Sequence, residues 1–357
     1  MSQDGRVKMI IEKGIRGFMK NSTKLFSVDN HRIDWIDIAK GIAILLVIIG
    51  HTVKFGSASR TFIFSFHMPL FFVLSGYTYR VAEDFATFKK HVLNNIKHLL
   101  IPAIGIVLFN LLAHWILEGT YTMPALAHQA KYYLAAFFWA SGVKVGPYPA
   151  LGAAWFLVSL LGAKLILDSV WLLFGKKECG YLVVLVALLG MALGVKRRWL
   201  PFNLDVTMVV VFFLYAGMLL RRYSSILSNY RGVLFGIAVV VWITCLNFGF
   251  HIELASRKYP FLVLSILEGI FGTMAICNFC KGFAVRQRIS NVLRFIGCHT
   301  LLIFSIHCVD WTGYFIWRNP NMWNASLLRC GFVLIVSLIL YTIHGYFLKT
   351  RGVLKLS

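Results

Sequence analysis

The stretch that decides the fold is DIAKGIAILLVIIGH, residues 37–51. Its central run is apolar enough to lie in lipid, yet Lys40 stands at one end and His51 at the other. The two residues are eleven positions apart, which on an α-helix is ~20° past three full turns and ~16 Å along the axis. Lys40 and His51 therefore share one face of a predicted membrane helix.

The composition of the whole chain agrees with a membrane protein. The 357 residues are 59% hydrophobic and 14% charged, with a mean hydropathy of +0.73, whereas soluble domains carry about one quarter charged residues. We expect an all-α, polytopic membrane helical bundle of about ten transmembrane helices, since a membrane helix needs ~20 mainly apolar residues. The candidate segments are 36–53, 61–79, 98–117, 150–174, 181–195, 206–220, 232–250, 260–280, 296–314 and 327–347.

The basic residues predict the orientation of this bundle. The formal charge is +22, and Lys and Arg are about twice as frequent in the segments on the side of the N-terminus as in the opposite ones, which places both termini in the cytoplasm. The charge is thus explained by orientation and by contact with anionic lipid, without a nucleic-acid partner. One cluster, Lys196-Arg197-Arg198, runs against the bias because it falls on the outer side.

The pattern predicts one membrane domain, residues 33–357, preceded by a cytoplasmic segment, residues 1–32. That segment is either a basic amphipathic helix lying on the membrane or a disordered tail, and no cleavable signal peptide is expected. Residues 120–149 are predicted to be re-entrant, interfacial or a partial span. The seven cysteines are scattered, so neither a disulfide nor a metal site is expected.

Several ionisable residues fall inside the predicted spans at a depth similar to that of His51. His67 lies in the second span, and His307 is followed three residues later by Asp310, a spacing at which a carboxylate orients an imidazole. Such residues usually face a bundle interior or a wet cavity. A structural explanation also exists: Lys40 would snorkel to the inner interface, His51 would mark the outer one, and His67 would only pack.

Three further features of the spans are open. Asp37 precedes Lys40 by three residues and can pair with it, as Lys164 and Asp168 can within the fourth span. Pro69 and the Ser75-Gly76 pair predict an irregular second span, which membranes tolerate where it is buried or lines a cavity. Glu268 has no evident partner.

These motifs resemble the acyltransferase 3 family of integral-membrane O-acyltransferases, most closely its fucose-acetylase-like branch. The family hallmark, a basic residue followed after ten residues by histidine, is matched by Lys40 and His51. The resemblance continues, in order, through FSFHMPLFFVLSGYTYR (64–80), KHLLIPAIG (97–105), AAWFLVSLL (153–161) and IGCHTLLIFSIH (296–307). Many members have Arg at the position of Lys40, a polar residue before Trp-Phe-Leu, and two basic residues where Lys97 and His98 stand here.

The resemblance implies an O-acetyltransferase that moves an acetyl group from cytoplasmic acetyl-CoA to a hydroxyl of an extracytoplasmic or lipid-linked glycan in the cell membrane. His51 would be the general base. His307 with Asp310 would be a second base or a proton relay, and His67 a further catalytic residue. Lys40, Lys97 and Asp37 would form the donor site, without a metal. Direct transfer and an acyl-enzyme on Ser75 or a histidine both stay open.

Other functions fit parts of the pattern. A different acyl group, such as succinyl, or a non-sugar acceptor would need the same site. A polytopic transporter would use the intramembrane His and Lys residues as a proton or substrate relay, although the two halves of the chain show no repeat. A purely structural membrane protein leaves the face shared by Lys40 and His51 unexplained.

Overall fold

The computed structural model describes residues 32–54, 56–117, 119, 121–144, 146, 150–283, 287–309 and 322–350. Apart from one bridge between Glu253 and Lys258, its regular structure there is helical. The helices are α1 Asp34–Gly50, α2 Ala58–Phe64, α3 His67–Thr78, α4 Phe85–Asn95, α5 Ile101–Leu117, α6 Met123–Trp139, α7 Trp155–Val195, α8 Leu204–Arg222, α9 Ser224–Asn229, α10 Arg231–Asn247, α11 Val263–Phe283, α12 Gln287–Cys298, α13 Thr300–Val309 and α14 Met322–Thr350. Of the predicted cytoplasmic segment, all but Arg32 lies outside these residues.

The predicted all-α polytopic bundle is confirmed. Among the described residues, seven helical stretches are long and apolar enough to cross a membrane, or eight if the bent pair α12–α13 forms one span. Helices α1 and α10 have 17 residues each and coincide with two more of the predicted segments. The count of about ten and the cytoplasmic termini stay predictions. Residues 120–149 contain α6, and their relation to the membrane is likewise still a prediction.

Two helix crossings at the centre of the bundle depend on glycine. Gly76 of α3 and Gly217 of α8 each lie against the other helix's backbone, so that a Cβ atom on either would collide with main-chain atoms. Gly41 of α1 and Gly297 of α12 make a second crossing of the same kind. Small residues at such positions allow the close backbone approach on which helix packing in lipid depends. These crossings fix α1 and α3, which carry the candidate site.

Breaks interrupt several of the described helices. The second predicted span is interrupted between α2 and α3, at Ser65 and Phe66, and not at Pro69, which falls in the first turn of α3, where its missing N–H costs little. Helices α12 and α13 are bent by 69° at His299. The long helix α7 turns back at Gly175, whose φ of 74° lies in the left-handed region.

We name the two ends of the bundle after α1. The inner end is the one where α1 begins, at Asp34, and the outer end is the one where α1 ends, at His51. The predicted orientation places the inner end in the cytoplasm.

Candidate active site

Three helix ends bring His51, His67 and His307 together at the outer end. His51 caps the C-terminus of α1, His67 begins α3, and His307 lies near the end of α13. The ring centroids of His51 and His307 are 5.2 Å apart. The ring of Phe64 contacts both His51, at 5.6 Å, and His67, at 4.6 Å. The three histidines that the sequence placed at a similar depth therefore form one cluster.

The three imidazoles differ in access. His67 is 2% exposed and His307 4% exposed, whereas His51 is exposed. The Nδ1 atom of His67 lies 2.9 Å from the carbonyl oxygen of Ile63. Because a carbonyl only accepts hydrogen bonds, Nδ1 carries the proton, and Nε2 of the neutral ring is left as an acceptor. His51 is thus the member of the cluster that a substrate can reach.

Two other residues that the sequence placed in the ninth predicted span are not seen in this cluster. Asp310 is outside the described residues, so its pairing with His307 stays a prediction. His299 accommodates the bend between α12 and α13: its Nδ1 lies 2.8 Å from the carbonyl oxygen of Phe295, and its ring packs on Tyr341 at 4.5 Å. In the part of the chain that the structure describes, no three His, Cys, Asp or Glu side chains are grouped to hold a metal ion.

An outer loop closes over the histidine cluster. A cavity of about 40 Å³ is lined by His51 and His67 together with Ile252–Ala255 of the segment between α10 and α11. The Ile252 N–H donates to a carboxylate oxygen of Glu268, on α11, at 2.7 Å. This buried carboxylate, whose partner the sequence did not reveal, holds the loop against the cavity.

The loop also brings a carboxylate to the histidines. Glu253 lines the same cavity and is paired with Lys258 at 3.1 Å and with Arg60 at 3.6 Å. Burial raises the pKa of Glu253, but the hydrogen bonds from Lys258 and Ser256 and the positive charges nearby outweigh it, so the pKa lies below its usual value. Glu253 is therefore a carboxylate at neutral pH.

Two arginines that the sequence placed only in outer segments approach His51. The guanidinium of Arg60 lies 3.8 Å from the centre of the Phe64 ring. Arg329, on α14, donates from Nη1 to the hydroxyl of Thr52 at 3.4 Å. Both charges are within electrostatic range of His51. Nothing in the sequence links Arg329 to His51, nearly 280 positions away, because their meeting depends on how α14 packs on α1.

Lys40 faces a second and larger cavity. This space of about 270 Å³ is lined by apolar side chains and by Lys40, Ser75, Thr78, His98 and Thr300. Within the described residues Lys40 has no hydrogen-bond or ion-pair partner, and Lys164 is close enough for the two charges to interact. The cavity therefore combines an apolar wall with a lysine that has no ion-pair partner among the described residues.

The two cavities adjoin. Val47, Met68 and Phe304 line both the Lys40 cavity and the histidine cavity. They belong to α1, α3 and α13, the helices whose ends carry the three histidines. Lys40 and His51 thus line two neighbouring cavities along one face of α1, and these three apolar side chains form the wall that the cavities share.

The two other residues predicted at the donor end lie differently from Lys40. Asp37 is paired with Arg32 at 3.1 Å and accepts from Cys298 Sγ at 3.4 Å, so it fixes α1 on α12 and only its charge reaches Lys40. Lys97 is exposed and is not among the residues lining the cavity, whereas its neighbour His98 is.

A local feature of the helix explains why His98, and not Lys97, lines the cavity. Residues Ile96–Leu100 form one π-helical turn, and such turns insert an extra residue and shift the faces of a helix. The turn precedes Pro102, which lacks the N–H that a regular helix would give to a carbonyl in this turn. A prediction that assumes a regular α-helix through these residues does not include that shift.

A polar cluster supports the inner end. Asp168 is fully buried and accepts hydrogen bonds from the Tyr79 hydroxyl at 2.7 Å and the Ala82 N–H at 3.0 Å, and it pairs with His91 at 2.8 Å. Lys164 does not pair with it directly but donates to the Asn95 side chain at 3.3 Å. The expected i,i+4 pair is replaced by long-range partners, which join α7 to α3 and α4.

Comparison with known proteins supports the likeness that the motifs suggested. The family model described as an acyltransferase domain (Acyl_transf_3) matches residues 33–342. The nodulation protein NolL of Sinorhizobium fredii (strain NBRC 101917 / NGR234) is 33% identical over 151 residues, which are 38% of this chain and 36% of that protein. The matched part thus spans little more than a third of that relative. No solved structure matches the chain. With a family match over most of its length, this integral membrane protein belongs to the acyltransferase 3 family.

Proposed function

We propose that the protein transfers an acetyl group from acetyl-CoA at the inner end to a hydroxyl of a glycan or lipid-linked sugar at the outer end. The observation that carries this proposal is that the Lys40 cavity and the His51 cavity lie side by side along α1 and share Val47, Met68 and Phe304 as lining. With the predicted orientation, the donor is cytoplasmic and the acceptor extracytoplasmic, and the protein works in the cell membrane.

The inner cavity suits an acyl-CoA. The phosphates of CoA are anions, and a desolvated cation without a protein partner binds an anion strongly. Lys40 is such a cation, and His98 lines the same cavity. The apolar remainder of the cavity suits the uncharged pantetheine arm. At ~1.5 Å per residue, Lys40 and His51 are ~16 Å apart along α1, a span comparable to the reach of that arm.

The outer cavity suits the chemistry of transfer. In the proposed step, His51 takes the proton from the acceptor hydroxyl while its oxygen attacks the thioester carbonyl. The carbon–sulfur bond then breaks, the acetyl group stays on the acceptor oxygen, and the CoA thiolate takes up the proton from the imidazolium. Arg60 and Arg329 would stabilise the negative charge that develops on the carbonyl oxygen. His67 and His307 would keep His51 in place and assist the proton transfer, His307 with Asp310.

The experiment compares His51→Ala with His128→Ala, since His128 is an exposed histidine on α6 that lines neither cavity. Both proteins are purified, reconstituted in vesicles with acetyl-CoA and a glycan acceptor, and assayed for acetyl groups on the acceptor. Removing a general base typically costs 100- to 10,000-fold in rate. We expect a loss in that range for His51→Ala and a rate within about twofold of the unsubstituted protein for His128→Ala.

The same vesicles separate transferase from transporter. If His51→Ala leaves the acetylation of the acceptor unchanged but alters proton or solute flux across the vesicle membrane, the proposed function is wrong. Succinyl-CoA, supplied in place of acetyl-CoA, tests which acyl group the inner cavity accepts.

A further inference from the structure

A third cavity opens at the outer end, on the loop that closes over the histidine cluster. This outer groove has a volume of about 960 Å³, and its main side chains are Arg197, Trp199, His251, Arg257, Lys258 and Tyr259. Its size is at the upper end of the range for sites that hold a small molecule. The acyl transfer proposed above uses none of these side chains.

The groove has a rigid, basic floor. Arg257 is 5% exposed and donates from Nε to Asp205 at 2.6 Å and from Nη2 to Asn203 at 2.6 Å. The Trp199 ring lies 4.6 Å from its guanidinium carbon. A bidentate, buried arginine of this kind fixes the backbone around it, and here it holds the start of α8 against the loop between α10 and α11.

Arg197 adds a positive charge that no carboxylate in the described chain offsets. It is exposed, and within the described residues its guanidinium has no hydrogen-bond or ion-pair partner. None of the described residues that line the groove is Asp or Glu. Arg197 belongs to the basic cluster 196–198, which violates the orientation bias of the rest of the chain. A binding role for the cluster explains why basic residues stand at the outer end.

A buried hydroxyl in the groove has no partner. Tyr259 is 4% exposed, and its hydroxyl makes no hydrogen bond with any residue that the structure describes. A buried polar group without a partner is costly, and native proteins usually satisfy such groups with water or a ligand. The hydroxyl of Tyr259 is thus available to a polar group that enters the groove.

The groove and the histidine cavity share one loop. Ile252–Ala255 line the cavity that holds His51, and the following residues, 256–260, line the groove. The ion pair of Glu253 with Lys258, at 3.1 Å, links the two. A molecule seated in the groove therefore contacts the same loop that closes over the proposed general base.

We propose that the outer groove is the acceptor site and that it takes an anionic sugar, one that bears a carboxylate or a phosphate. The oxyanion binds Arg197 and Lys258, the sugar ring packs on Trp199, and a sugar hydroxyl reaches Tyr259. This inference rests on the proposed function only in naming the ligand an acceptor, because the binding itself needs no donor and no chemistry.

The test is a binding measurement on the full-length protein in detergent, without acetyl-CoA. The probes are a hexuronate trisaccharide, a hexose 1-phosphate and a neutral hexose trisaccharide, titrated by calorimetry against the unsubstituted protein, Arg197→Gln and Arg198→Gln. Arg198 is an exposed arginine of the same cluster that does not line the groove, which makes it the matched control. Trp199→Ala and Trp199→Phe test the contact with the sugar ring.

We expect at least one acidic probe to bind about tenfold or more tightly than the neutral one, since a charge-assisted hydrogen bond contributes at least that factor. Arg197→Gln should remove that preference and Arg198→Gln should keep it within about twofold. Trp199→Ala should weaken the binding of all three probes, and Trp199→Phe should have an intermediate effect. The acidic probe whose affinity falls more on Arg197→Gln shows whether the groove binds a carboxylate or a phosphate.

Three results would overturn the acceptor site. They are equal affinity for acidic and neutral probes, equal effects of Arg197→Gln and Arg198→Gln, or displacement of the acidic probe by phosphatidylglycerol but not by phosphatidylcholine, which would make the groove a lipid headgroup site. The His51→Ala variant distinguishes a failure of the acceptor-site proposal from a failure of the proposed acetyl transfer. If the His51→Ala protein binds the acidic probe normally and its acetyl transfer is unchanged, the proposed function is refuted. The acceptor-site proposal for the groove is then still supported by the binding data.

Discussion

Replacing Lys40 with alanine should weaken the use of acetyl-CoA without affecting a donor that lacks phosphates. Lys40 lines the inner cavity and has no ion-pair partner within the described residues, so its removal leaves no protein group unpaired. A hydrogen bond to a charged group contributes about 1.5–3 kcal/mol, and about 1.36 kcal/mol corresponds to a factor of ten. Lys40→Ala should therefore raise the KM for acetyl-CoA by about 10- to 150-fold.

The assay measures initial rates of transfer in vesicles with two donors, acetyl-CoA and S-acetylpantetheine. The second donor keeps the thioester and the arm but has no phosphate, so its KM should be the same in Lys40→Ala as in the unsubstituted protein. Lys131→Ala, which removes an exposed lysine of α6, should leave both values unchanged. An equal rise in KM for both donors, or no rise for either, would refute Lys40 as a phosphate contact.

Three further substitutions test how the structure holds the site. Glu268→Ala removes the acceptor of a buried backbone N–H of the outer loop, so it should cost about 1–3 kcal/mol of unfolding free energy and lower kcat, while Glu268→Gln, which keeps an acceptor oxygen, should lose less of both. Asp205→Asn breaks the buried pair with Arg257 and should destabilise the protein by about 3–5 kcal/mol in a reversible detergent-unfolding titration; a loss below about 1 kcal/mol would contradict the burial of that pair. Gly76→Leu should prevent α3 from packing on α8 and yield little folded protein by size-exclusion chromatography, whereas Gly105→Leu, at an open position on α5, should yield normal amounts.

The helical class of the fold and the face shared by Lys40 and His51 follow from the sequence because both depend on local periodicity. Apolar runs long enough to span lipid predict helices, and a spacing of eleven residues predicts one face, wherever the rest of the chain lies. The grouping of His67 and His307 with His51 also followed, since their depth in the predicted spans was similar.

The rest of the site depends on contacts between distant segments. The π-helical turn at Ile96–Leu100 exchanged Lys97 for His98 at the inner cavity. The outer loop carrying Glu253 lies over the histidines because Glu268 binds its backbone, and hydropathy gives no signal for such a contact. Arg329 is nearly 280 positions from His51, and only the packing of α14 brings the two together.

The most direct test of the account is the structure of the protein with a stable acetyl-CoA analogue in which a methylene replaces the thioester sulfur. We predict that its phosphates lie at Lys40 and that its arm runs past Val47, Met68 and Phe304. Its carbonyl carbon should lie close enough to His51 that a hydroxyl between them is within hydrogen-bond reach of the ring, at ~3 Å. An analogue bound wholly at the inner end, or one whose phosphates lie away from Lys40, would contradict the central claim that one face of α1 joins donor and base.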